Sequence, residues 1–261
     1  MPRSLPPEIL DLVTDQLHDE PTTLKACCLV SKSWISQTQR HLFAHVEFDS
    51  LGHTFKSWME TFPDPSNSPA HHTRSLVISH LPEASFSLGT GGWIHAFHNV
   101  THFHFERNTR ASYDVPLTPF FGFSPAVRSL RLTSTSSEIF DLICSFPLLE
   151  DLALINFCPE GGIVRWKAPS TSPKLTGSLD LTARGGINSA TRQLLDFQGG
   201  LHFAKITVTC IGEDFGSVKD LVSKCSGTLE SLDVRCFLMG MFPSVPLIGQ
   251  NLTTLRGRSH A

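Results

Sequence analysis

Apolar residues follow a helical period over the first 45 positions and a strand period after that. In LPPEILDLVTDQL (5–17), Ile9, Leu10, Leu12, Val13 and Leu17 fall within an arc of roughly 160° at about 100° per residue, with Glu8, Asp11 and Asp15 opposite. Pro7 suits a first helical turn, where its missing N–H costs nothing, and Glu8 suits the positive end of the helix dipole. HDEP then breaks the pattern. Pro21 can start a second helix containing Leu24, Ala26, Cys27, Cys28, Leu29 and Val30. Ser31 or Ser33 can cap a third, through Trp34, Ile35 and Leu42. Three helices in about 40 residues lie at the lower limit of independent stability, so the unit must lean on the rest of the chain or on another protein.

From residue 46 onward, short alternating runs recur: VEF (46–48), SLVI (75–78), HFHF (102–105), SLRL (129–132), DLAL (151–154), SLDL (178–181), KITV (205–208) and SLDV (231–234). The first core positions of the later runs are Leu76, Phe103, Leu130, Leu152, Leu179, Ile206 and Leu232, with Leu255 in a last repeat; successive differences are 27, 27, 22, 27, 27, 26 and 23. That period, with an L-x-L core, lies in the leucine-rich-repeat range. Helix-like stretches separate the runs, most clearly at 54–62, 137–146, 190–197 and 217–225. Strand–helix–strand alternation at this spacing predicts parallel strands with right-handed crossovers, stacked as an α/β solenoid with strands on the concave face and helices on the convex face. The loops 61–73 and 167–177, rich in Pro and Ser, are expected to be solvated connectors.

Composition narrows the function classes. With 40% hydrophobic and 17% charged residues, the 261-residue chain is that of a folded protein. Its net charge of −3 gives no whole-chain attraction to nucleic acid or an anionic membrane. No apolar run reaches the roughly 18 residues a membrane span needs, and acids and prolines interrupt the N-terminus before signal-peptide length. Seven scattered cysteines, an odd number without a secretion signal, point to reduced thiols in cytoplasm or nucleus.

The order and spacing of Leu5-Pro6, Glu8-Ile9-Leu10, Val13, Leu17, Leu24, Leu29-Val30-Ser31-Lys32 and Trp34 resemble an F-box, whose pattern is L-P-x-E-I-L followed at this distance by V-S-K-x-W. The match covers roughly residues 4–45, which sets a division into 1–45 and 46–261. The resemblance implies a three-helix unit that binds the Skp-type adaptor of cullin–RING ubiquitin ligases. It places Leu5, Pro6, Ile9, Leu10, Val13, Leu29 and Val30 in or beside that contact. Residues 46–261 are similar to irregular F-box/leucine-rich-repeat proteins. The Asn or Cys of the regular repeat is replaced by Leu81, Phe157, Ile211 and Phe237, so an irregular solenoid is expected. The last repeat, NLTTLRGRSHA, has no capping helix, which predicts a shortened chain or a C-terminal edge covered by a partner.

Little in the chain points to chemistry. His95, His98, His102 and His104 crowd into ten residues, but the pairs fall on different elements, with no Cys or carboxylate at ligand spacing. SLGTGGW (87–93) lacks the Lys and the acid of nucleotide loops and reads as a turn; ARGG (183–186) is a single Arg-Gly-Gly. Lys224 beside Cys225 could lower a thiol pKa, although a buried helix cysteine is the simpler reading. No catalytic residue, metal or cofactor is expected.

Recognition is expected on the concave face. There His102, His104, Arg131, Asp151, Asp180, Lys205 and Asp233 alternate in sign, which suits a protein or peptide better than a polyanion. The reading is therefore a non-catalytic substrate adaptor of a Skp–cullin–F-box ligase, joined to cullin through the Skp-type subunit. The alternatives are a non-degradative scaffold, a repeat protein whose N-terminal helices only cap the solenoid, and a metal protein built around the histidines.

Overall fold

The structure is a computed structural model that describes residues 6–48, 53–79, 91–106, 117–133, 138–156, 172–183, 187–211 and 216–237. The last predicted repeat, with Leu255, lies outside the described residues, as do Leu81, Phe157, Cys158 and 167–171 of the second Pro/Ser loop.

Three helices open the fold: α1 (Pro7–Gln16), α2 (Pro21–Cys27) and α3 (Lys32–Leu42). Proline sits in the first turn of α1 and α2, as its fixed φ favours. Ser31 precedes α3 in an extended conformation, but its hydroxyl pairs with Ser33 and not with a helix N–H. The second helix is shorter than its apolar run suggested. It ends at Cys27, and the amides of Leu29 and Val30 close a turn on Ala26 and Cys27.

Eight strands follow: β1 (His45–Phe48), β2 (Ser75–Ser79), β3 (His102–Glu106), β4 (Ser129–Thr133), β5 (Asp151–Ile155), β6 (Leu175–Ala183), β7 (Leu201–Ile211) and β8 (Ser231–Phe237). They form one sheet in sequence order, every neighbouring pair parallel. The predicted rows stand in register. Val46, Leu76, Phe103, Leu130, Leu152, Leu179, Ile206 and Leu232 are successive partners across the sheet. The second core row runs from Phe48 through Ile78, Phe105, Leu132, Leu154, Leu181 and Val208 to Val234. Just before each of the first four strands one carbonyl (Ala44, Arg74, Thr101, Arg128) accepts two amides of the next repeat, which pins the register.

The connections carry α4 (His53–Thr61), α5 (Gly91–Ile94), α6 (Ile139–Cys144), α7 (Ile187–Leu195) and α8 (Gly216–Lys224). Their Phe55, Trp93, Phe140, Leu194 and Leu221 join the strand rows in one buried cluster. A parallel sheet is usually covered on both faces; here helices cover one face and leave most of the alternate strand residues exposed or half-buried, Thr133 at the end of β4 being buried. Phenylalanines fill the space between repeats, Phe103 lying 5.0 Å from Phe123 and 5.6 Å from Phe120.

The segment 61–73 is more than a connector. Two 3-10 turns form, Pro65–Asn67 and Pro69–His72, the first capped by the Asp64 carboxylate. Ser68, Pro69, Ala70 and Thr73 are buried. Trp93 of the glycine-rich stretch is likewise buried on a helical turn. Phe43, at the end of α3, packs edge-on against Trp58 and Phe62 of the next repeat, which ties the helical unit to the sheet. No helix among the described residues is long and apolar enough to cross a membrane.

Candidate functional site

Two surfaces stand out, one on the N-terminal helices and one on the uncovered face of the sheet. The helical unit is held by a few inward groups. Leu10 and Leu24 are buried. Thr14 is buried as well, its hydroxyl donating to the Leu10 and Asp11 carbonyls one turn back. Thr38 of α3 donates to the Trp34 carbonyl and lies 2.8 Å from the Cys28 thiol, joining α3 to the end of α2. Asp15 and His41, 2.9 Å apart, join α1 to α3.

These inward contacts leave much apolar surface outside. Six large hydrophobic side chains are exposed among the described residues, and five belong to this unit: Ile9, Leu12, Val13, Leu29 and Val30. Leu29 is 88% exposed because the chain has already left α2. Moving one such side chain out of water is worth about 1.5–3 kcal/mol. Ile9, Val13, Leu29 and Val30 thus lie where a contact could use them, and Pro6 is exposed beside them. Leu5 lies outside the described residues. Leu10 differs. At 4% exposure it is buried, so it supports the unit and is not itself on the surface. Leu12, on the same helix, is 61% exposed. The helical wheel could not separate the two, because both fall in the same wide arc.

On the sheet, two open rows alternate with the core rows. The first is His45, Ser75, His102, Ser129, Asp151, Ser178, Lys205 and Ser231; the second is Glu47, Val77, His104, Arg131, Ala153, Asp180, Thr207 and Asp233. All seven predicted recognition residues fall in these rows. Serines alternate with larger polar groups along the first row and pair with two of them: Ser75 with His45 at 3.0 Å, and Ser178 donating to Asp151. His104 is half-buried. Burial lowers its pKa first, Arg131 lowers it further, and Glu106 and Glu47 oppose them. Asp233 is held by Arg235 at 2.7 Å, and Asp180 accepts from Thr182 at 3.2 Å. Arg131 and Lys205 are exposed and make no ion pair among the described residues.

His95 and His98 are exposed on the turn after α5, whereas His102 and His104 stand on β3. No three His, Cys, Asp or Glu side chains converge as metal ligands among the described residues. Burial pushes the Cys144 thiol up to about 11 and raises that of Cys225, where Lys224 offsets it only in part. Both are poor nucleophiles at neutral pH. The arrangement can hydrogen-bond and pair charges with a ligand. No family model matches the chain, and no curated protein matches it.

Proposed function

We propose that the chain is a non-catalytic, two-part adaptor of a Skp–cullin–F-box ubiquitin ligase. The N-terminal helices dock on the Skp-type subunit and through it on cullin. The open face of the sheet holds a client protein. Transfer of ubiquitin is carried out by other subunits; this chain raises the effective concentration of client lysines beside them.

The observation that carries this reading is the unequal distribution of exposed apolar side chains. Five of six lie on three short helices, and four of the five occupy positions that the F-box resemblance assigns to the adaptor contact. A unit that only capped the sheet would turn its apolar side inward. Phe43 does serve that purpose, which favours a capping role as well, whereas Leu10 and Leu24 are buried outside the sheet's core cluster. Capping leaves Leu29 and Val30 without a use.

Reconstitution tests the assembly. The purified chain, a Skp-type adaptor and a cullin N-terminal domain, mixed and separated by size-exclusion chromatography, should co-elute as one complex. Elution of a well-folded chain apart from the adaptor would leave the capping role alone. A chain that joins the complex without promoting turnover of any client would instead be the non-degradative scaffold.

A further inference from the structure

Apart from both surfaces, two arginines and two histidines gather where α3 meets the start of β2. The 3-10 turn Pro69–His72 packs against α3 and against the turn His95–Phe97. Buried Pro69, Ala70 and Thr73 anchor this stretch, leaving His71 and Arg74 exposed and His72 half-buried. The His71 and His72 rings lie with centroids 3.9 Å apart. Arg40, exposed at the end of α3, and Arg74 both act on the His72 imidazole.

The group is positioned. His71 Nδ1 lies 2.9 Å from the Ser68 carbonyl, which can only accept, so that nitrogen carries the proton and Nε2 is left for another partner. Asn99 donates to the His71 carbonyl at 2.7 Å and accepts from Arg74 Nη1 at 3.3 Å. Its side chain thereby fixes the histidine turn, and its backbone fixes the guanidinium.

Among the described residues, none of the four pairs with a carboxylate. Asp64, the acid of the same segment, accepts from the Ser66 amide and hydroxyl and from Asn67. Asp15 is taken by His41. Two exposed guanidiniums and two imidazoles, with no carboxylate partner among the described residues, offer an anion attraction without a competing acid.

We propose that Arg40, His71, His72 and Arg74 form a binding site for a phosphate group. Guanidinium forks match phosphate oxygens, and a phosphate dianion offers two charges to offset the arginine pair. Burial, His71 and both arginines hold His72 below the usual imidazole range, and an anion beside it would raise it again.

The test uses the whole chain. Calorimetric titrations with inorganic phosphate, O-phosphoserine and serine are paired with NMR of the histidine rings. Saturable binding of a phosphate compound is expected, with the His71 and His72 resonances moving and serine inert. Tighter binding of O-phosphoserine would mark a phosphate ester as the ligand; tighter binding of inorganic phosphate would mark the free anion. Arg40→Gln and Arg74→Gln, both at exposed positions, should each weaken binding about tenfold without changing the circular dichroism spectrum. Absence of saturable binding, still ring resonances, or full affinity in the double variant would overturn the site.

Discussion

Gly177 has φ of +71° in β6, and a Cβ there would clash with the backbone carbonyl of Glu150, just before the neighbouring β5. Both facts act in the same direction: the backbone is one that L-residues avoid, and the space is filled by main chain that cannot swing away. The register between β6 and β7 shifts at this point, between Gly177 and Ser178. Gly177→Ala should cost about 1–3 kcal/mol in denaturant unfolding, whereas Gly92→Ala, with nothing within 4 Å of its Cβ, should be neutral or mildly stabilising. Protonation offers a second test. His72 and His104 are both held below the usual imidazole range in the fold, chiefly by burial. Below the unfolded value of 6.5 the unfolded chain therefore binds more protons than the native one. Stability is full above that value and falls as pH drops towards the lowered native ones. Melting temperatures measured downward from neutral pH should show this loss, and His72→Gln with His104→Gln should flatten it.

Within a strand, neighbouring residues belong to different environments. Leu132 is fully buried in the second core row, and Arg131 beside it is exposed on the open face. Leu132→Ala should cost about 2–5 kcal/mol and Arg131→Ala no more than about 0.5 kcal/mol, a contrast that urea unfolding of the two variants resolves. Much at this scale was legible in the sequence. A period-two pattern repeated every 22–27 residues fixes which side chains share a row, and the two core rows of all eight strands follow from it, but not the early starts of β6 and β7 or the register shift at Gly177. Contacts between distant segments were not legible. The segment 61–73 is rich in Pro and Ser, yet Ala70 and Thr73 are buried where its turn packs between α3 and the next repeat. The placement of the end of α3, which carries Arg40, against the histidine turn depends on the same packing. Periodicity could not show that α2 stops at Cys27 either, because Leu29 and Val30 continue the apolar run while the backbone turns away.

At the scale of the molecule, a small helical unit is fixed by aromatic packing to one end of a parallel sheet that buries one face and exposes the other. The two exposed surfaces differ in chemistry: apolar on the helices, mixed in charge on the sheet. In the adaptor reading they serve different partners and should respond separately to substitution. Arg131→Glu belongs to the client face and should leave adaptor binding unchanged. Leu29 belongs to the adaptor face; it is exposed in the free chain, so a charge there tests the contact without disturbing the core, as a charge at buried Leu10 would. The decisive measurement is calorimetric titration of a purified Skp-type adaptor into the native chain and into Leu29→Asp, with circular dichroism on both. The account predicts tight, saturable binding by the native chain and a loss of several kcal/mol in a variant whose spectrum is unchanged. Absence of binding by the folded native chain, or equal binding by the variant, would contradict it.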